Sequence, residues 1–191
     1  SLHERRKEWR ELAEVTTVLA AVEKDGPRQA AVRVRVGDVL AERLEQPTEA
    51  EAQYRQALAA LPGCEAAFLG LERVLLRAAD WTGLREVYRA AAAALPEGPA
   101  RVPWLRKLGT VLAWRLGRRR EALGVIDQLL ALAPDDRTAL RDALLLRVAD
   151  KQWREAAELL ARLGARTEDP AVAAAYIKEE ASLREAQLRQ D

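Results

Sequence analysis

The chain has 191 residues, of which 49% are hydrophobic and 32% charged, and its 31 Lys and Arg balance 30 Asp and Glu to a formal net charge of +1. This length and apolar share favour a folded, water-soluble domain, and no apolar stretch is long enough to predict a membrane span. A net charge near zero argues against a dedicated nucleic-acid binder, and a single cysteine, Cys64, excludes an internal disulfide.

The secondary structure is predicted to be all-α. Ala, Leu, Arg and Glu dominate the composition, and all four are strong helix formers. Only residues 32–36 alternate like a strand, and their flanks continue better as helix. In chain order, helices are predicted near residues 9–24, 29–45, 47–61, 64–78, 81–95, 101–116, 119–133, 136–150, 153–165 and 170–190.

The sequence repeats with a period of 72 residues. Trp9, Trp81 and Trp153 are separated by this interval, which predicts an anchoring Trp at the start of one helix in each long unit. The same offset aligns residues 37–44 with 109–116, identical at six of eight positions. Such a register without a gap indicates an array of repeated helical units.

The 72-residue unit divides into two. A pattern of a small residue, a large one, a second small one and a closing proline is formed by Ala50, Tyr54, Ala57 and Pro62. Related patterns follow after 34, 38 and 34 residues, beginning at Leu84, Ala122 and Ala156. Each unit therefore has the length of one helical hairpin.

These residues resemble the tetratricopeptide repeat family, in the degenerate form of long bacterial arrays. The second-helix pattern is that of the family, and its first-helix motif W-x2-L-G-x2-Y is similar to Leu105-x2-Leu108-Gly109-x2-Leu112. Arg33 departs from it, because the family has a large apolar residue there. The resemblance implies a right-handed α-solenoid of antiparallel helical hairpins, with about ten helices and alternating 34- and 38-residue repeats, whose first helices line a concave groove.

We expect residues 1–191 to form a single solenoid domain. The chain begins at Ser1 and opens on a helix of the second type, so we expect it to be a segment of a longer cytoplasmic repeat protein. The last predicted helix, 170–190, is polar enough to be either a cap or the first half of a further repeat.

Catalytic chemistry is not predicted. The only histidine is His3 and the only serines are Ser1 and Ser182, so no nucleophile has a base and no metal-ligand cluster exists. We therefore expect no enzyme activity, no cofactor and no metal. The two-carboxylate clamp of chaperone-binding family members uses asparagines, and this chain has none.

A Trp- and Arg-rich segment is the predicted binding surface. Trp114 occupies the register position of Glu42, which predicts that it faces solvent, whereas Trp104 is either part of the surface or packed inside. The predicted partner-binding residues are Trp104, Arg106, Lys107, Trp114, Arg115, Arg118, Arg119 and Arg120, with Arg73 and Arg77 as further candidates. The alternative interpretation of the three consecutive arginines is a solvated turn.

The leading functional hypothesis is a non-catalytic scaffold that binds another protein or an acidic peptide segment in the groove. One alternative is an RNA- or DNA-binding helical-repeat protein that uses the Arg and Trp cluster at 101–120. Another is a spacer or a segment that self-associates through its end helices. The oligomeric state stays open.

Overall fold

The computed structural model describes residues 2–188, and the side chains of residues 4–185. Regular structure in this part of the chain is entirely helical, as predicted, and residues 189 and 190 of the last predicted helix lie outside it. Its ten α-helices are α1 Leu2–Val22, α2 Gly26–Glu42, α3 Pro47–Ala60, α4 Glu65–Arg77, α5 Trp81–Ala94, α6 Val102–Thr110, α7 Arg119–Leu132, α8 Arg137–Ala149, α9 Trp153–Gly164 and α10 Pro170–Leu188.

Successive helices pack against each other in hairpins. The chain divides into two compact units, Ser1–Pro96 and Glu97–Asp191. In the first unit each of α1 to α4 packs on the helix that follows it, and α2 also contacts α4. In the second unit each of α6 to α9 packs on the helix that follows it. The single solenoid domain expected over residues 1–191 stays a prediction.

The turns between paired helices confirm the alternating repeat length. Each turn holds one residue in the left-handed backbone region, namely Glu45, Ala79, Gly117 or Lys151, with φ between 52° and 64°. These four positions follow one another at intervals of 34, 38 and 34 residues. The longer interval contains the connection between α5 and α6, where a 3-10 turn, Pro99–Arg101, precedes α6.

The repeated pattern residues form the cores of the hairpins. The four copies of the pattern begin at Ala50, Leu84, Ala122 and Ala156. In each copy the first residue, the large residue and the second small residue are at most 3% exposed. Full burial of a large aliphatic side chain contributes about 1.5–3 kcal/mol to the free energy of unfolding. The residues of the repeated pattern are therefore core residues in all four hairpins.

Tyr54 shows how close the packing is. A Cβ atom added to Gly37 would lie 2.6 Å from the Tyr54 ring, and one added to Gly70 would overlap it as well. The ring is thus seated between α2 and α4, while its hydroxyl donates to Asp38 at 2.8 Å. Burial, and then this hydrogen bond, raise the pKa of Tyr54 above its ordinary value, so the phenol stays protonated.

Two helix starts differ from the prediction. α2 begins at Gly26 because Asp25 caps it, accepting from the Arg28 backbone N–H at 3.2 Å, and because Pro27 is compatible with the first turn. α1 begins before residue 9, so Trp9 lies inside the helix and the expectation that it starts one is wrong. Trp81 and Trp153 are the first residues of α5 and α9, and both are half-buried.

We expect opposite effects from substitutions at two equivalent left-handed turn positions. Gly117→Ala should lower the free energy of unfolding by about 1 kcal/mol, because a Cβ disfavours this backbone conformation. Ala79→Gly should not lower it, since it removes the same strain. Urea unfolding midpoints of both variants provide the measurement. Equal destabilisation by both changes would contradict this explanation.

Candidate binding surface

Trp114 is presented by an irregular helix end. After α6 the chain widens into a π turn, Val111–Arg115, and then reverses at Gly117, whose φ is 64°. The inner residues of this turn, Val111, Leu112 and Ala113, are buried, whereas the Trp114 side chain is 52% exposed. The prediction that Trp114 faces solvent is confirmed. π turns of this kind occur frequently at functional sites.

A shallow depression of about 620 Å³ lies beside Trp114. Its wall includes Arg118, Arg119 and Arg120 from the start of α7, and α8 contributes Leu145, which is 56% exposed. We refer to Trp114, Arg118, Arg119, Arg120 and Leu145 as the Trp–Arg surface. It combines two exposed apolar side chains with three cationic ones.

The three arginines differ in their ion pairs. Arg118 lies 3.0 Å from Glu121, and Arg119 lies 3.7 Å from Asp150. All four of these side chains are partly exposed, so each pair contributes little to stability. Within residues 4–185, Arg120 makes no ion pair. At least one guanidinium at the Trp–Arg surface is therefore available to an incoming carboxylate without breaking an internal contact.

Three of the other predicted residues have internal roles. Trp104 is 5% exposed, so it belongs to the core, and its assignment to the binding surface is wrong. The Lys107 ammonium covers the Trp104 ring at 4.9 Å from its centroid. Arg106 forms an ion pair with Asp136 at the start of α8. None of the three lines the depression; Arg115, which follows Trp114, is exposed outside it.

Asp136 links Arg106 to the start of α8. Its carboxylate accepts from the Ala139 backbone N–H at 3.1 Å and so caps the helix. Partial burial opposes ionisation, but the hydrogen bonds from Ala139 and Arg106 outweigh it and hold the pKa of Asp136 below its ordinary value. The Arg106–Asp136 ion pair and the Asp136 cap therefore stabilise the start of α8 while the Asp136 carboxylate is ionised.

The 72-residue register identifies what the sequence analysis missed. Trp114 and Leu145 occupy the positions of Glu42 and Arg73 in the first unit. There, Arg73 lies 3.6 Å from Glu42 and 2.5 Å from Asp38, so the first unit has an ion-pair network at this place. Aligning α8 by this offset, as was done for the segment that holds Trp114, would have pointed to Leu145, because an apolar residue replaces Arg73 there.

Arg73 and Arg77, the further candidates on α4, lie in the first unit. The Arg73 guanidinium also donates to the Tyr54 hydroxyl at 3.3 Å, so its contacts are those of a structural residue. Arg77 is exposed in the last turn of α4. Neither belongs to the Trp–Arg surface.

The described part of the chain has neither a metal-binding cluster nor a membrane-spanning helix. Among its side chains, no group of three or more His, Cys, Asp or Glu residues is placed to hold a metal ion. None of its helices is both long and apolar enough to cross a bilayer.

Solved structures of repeat proteins resemble this chain. No family model and no curated protein matches it. YrrB, a tetratricopeptide repeat protein with an unusual peptide-binding site, superposes with a TM-score of 0.59 and 20% identity over 91% of this chain and 85% of its own. MamA from Desulfovibrio magneticus RS-1, residues 41 to the end, superposes with a TM-score of 0.52 and 18% identity, over 83% of this chain and 96% of its own. Another MamA structure superposes with a TM-score of 0.50 and 11% identity, over 97% of this chain and 95% of its own.

At these identities the likeness establishes the fold. The chain has the tetratricopeptide repeat architecture of sequential helical hairpins, which the second-helix pattern predicted. Proteins with this fold typically act as scaffolds that bind other proteins or peptides.

We expect the Asp136 cap to be visible in the pH dependence of stability. Asp136→Ala should lower the free energy of unfolding by about 1 kcal/mol at pH 7, and Asp136→Asn by less, because Asn still caps. Since the folded pKa lies below the ordinary value of 3.8, the advantage of wild type over Asp136→Asn should hold above that pH and vanish as the pH falls through the folded pKa. A gap that stays constant from pH 7 to strongly acidic pH would contradict this assignment.

Proposed function

We propose that this chain is a non-catalytic scaffold that binds a partner protein or an acidic peptide segment through the Trp–Arg surface. The observation that supports this best is the contrast between the two units. Where the first unit has the Glu42–Arg73 ion pair, the second exposes Trp114 and Leu145 beside three arginines. The repeat fold does not require exposed apolar residues at these positions, so a binding role would explain them.

The chemistry of the surface favours a peptide with mixed character. An exposed Trp is the side chain most often found at the centre of interaction hot spots. The guanidinium of Arg120 at the rim could hold a carboxylate in two parallel hydrogen bonds. The ligand we propose therefore carries one large apolar side chain next to Asp or Glu residues.

Nucleic acid is the weaker candidate because carboxylates lie among the arginines. Glu121 and Asp150 both line the depression and pair with Arg118 and Arg119. They would repel a polyphosphate backbone, and the formal net charge of +1 supplies no long-range attraction. A short acidic segment can instead approach Arg120 while these pairs remain intact.

We predict that Trp114→Ala leaves the fold intact and weakens partner binding by about 2 kcal/mol, roughly 30-fold. Because the side chain is half exposed, its removal leaves no core cavity. Binding is measured by calorimetry with a peptide selected from a random library against the wild-type chain. A large fall in thermal stability would show instead that Trp114 is a core residue.

The first unit supplies a matched control. The double variant Trp114→Glu, Leu145→Arg copies the Glu42–Arg73 pair into the second unit, so it should fold normally and lose the selected peptides. Library selection against wild type with counter-selection against this variant should enrich sequences with an apolar residue beside Asp or Glu. If both proteins select the same peptides, or only single-stranded RNA binds wild type, the proposed site is wrong.

A further inference from the structure

The ion pair between Arg119 and Asp150 has no counterpart in the first unit. The 72-residue offset places Arg119 on Pro47, and these are the first residues of α7 and α3. It places Asp150 on Ala78, and these two residues cap the C-terminal ends of α8 and α4. Both members of the pair therefore replace uncharged residues at matching points of the repeat, so the architecture requires neither charge.

Each charge of this pair lies at the helix end that disfavours it. The N-terminal end of a helix carries a partial positive charge and the C-terminal end a partial negative one. Arg119 begins α7 and Asp150 follows the last residue of α8, so both lie at a helix end of their own sign. The two side chains, 56% and 26% exposed, are 3.7 Å apart, and a pair this accessible contributes little to stability. Stability of the fold therefore does not explain the Arg119–Asp150 pair.

Glu121, the other carboxylate that lines the depression, has a structural explanation. It lies in the first turn of α7, where a negative charge is favourable. Glu49 and Glu155 occupy the first turns of α3 and α9, so an acidic residue at this place recurs in the repeat. Asp150 is therefore the carboxylate at the depression for which the repeat gives no reason.

Asp150 limits the number of unpaired guanidinium groups that a ligand meets. Arg118 and Arg119 are both engaged in ion pairs, whereas Arg120 makes none within residues 4–185. One guanidinium matches the single negative charge of a carboxylate. A phosphate monoester carries about −1.5 to −2 charges at pH 7, so one guanidinium leaves it incompletely paired, and Asp150 would also repel it. Specific sites commonly combine an attractive group with a repulsive one in this way.

We propose that Asp150 is a specificity-determining residue of the Trp–Arg surface, where it selects a carboxylate of the ligand over a phosphate group. This inference rests on the proposed function, because it specifies the acidic group that the same surface accepts. Asp150 is a positioning residue, since it acts by holding the guanidinium of Arg119. Without Asp150, Arg119 and Arg120 would present two unpaired guanidinium groups at the same depression, a donor set suited to phosphate.

Two matched peptides test this inference on the full chain. They share the highest-ranked sequence from library selection against wild type, and carry either Glu or phosphoserine at its acidic position. Calorimetry should show that wild type binds the Glu form more tightly. Asp150→Ala, which copies Ala78, should bind the phosphoserine form about tenfold more tightly than wild type does, because Arg119 can then donate a charge-assisted hydrogen bond to it. The affinity for the Glu form should change much less.

Three further variants separate this effect from net charge and from folding. Asp127→Ala removes a carboxylate that pairs with Arg147 outside the depression, so it should leave the preference unchanged. Asp150→Glu keeps the charge and should retain the wild-type preference. Arg119→Gln, added to Asp150→Ala, should remove the gain in affinity for phosphoserine. Circular dichroism should show equal helix content in every variant.

The outcomes distinguish this inference from the proposed function. If library selection yields no peptide, or if Trp114→Ala binds the Glu form as tightly as wild type does, the proposed function fails and this inference fails with it. If the Glu form binds through Trp114 but Asp150→Ala keeps the wild-type preference, only the role of Asp150 is overturned. A wild type that prefers phosphoserine overturns it too, as does an equal shift in Asp127→Ala, which net charge alone would explain.

Discussion

The structure depends on one packing constraint: in each hairpin, a large side chain of the second helix is seated against the first. Tyr54 fills this position against Gly37, and Tyr88 fills it in the next hairpin, where its hydroxyl donates to Glu72 at 2.7 Å. Ile126 packs beside Gly109, and Leu160 belongs to the core cluster that includes Leu144. This position can hold a tyrosine or an aliphatic side chain, because the residue that faces it on the first helix leaves room for its volume.

Because this constraint acts on the inner faces of the hairpins, it leaves the outer positions free to differ. In the first unit Tyr54 is hydrogen-bonded to Asp38 and Arg73, and Arg73 also pairs with Glu42. The second unit has no phenol to hydrogen-bond at the equivalent position, and it presents Trp114 and Leu145 to solvent instead. One architecture thus carries a closed polar network in one unit and an open apolar surface in the other.

The fold was predictable because its signal is repeated. The second-helix pattern occurs four times at nearly constant spacing, and the residues that form it are the buried ones. The candidate site was only partly predictable. The register indicated that Trp114 is exposed, because its counterpart is charged. It did not reveal that Trp104 is buried beneath Lys107 or that Arg106 pairs with Asp136, since these contacts join side chains from different turns or helices. Leu145 is not part of the repeat motif, so the motif alone did not indicate it; only its alignment with Arg73 at the 72-residue offset would have done so.

The most direct test of the central claim, that the second unit binds through the exposed Trp114, is fluorine NMR of the chain labelled with 5-fluorotryptophan. Its five tryptophans give five resonances, and Trp114→Phe assigns the one of interest. Titration with an acidic peptide selected against the wild-type chain should shift the Trp114 resonance and leave that of buried Trp104 in place. If Trp114 stays unchanged while Trp9, Trp81 or Trp153 responds, the binding surface lies elsewhere and the account is contradicted.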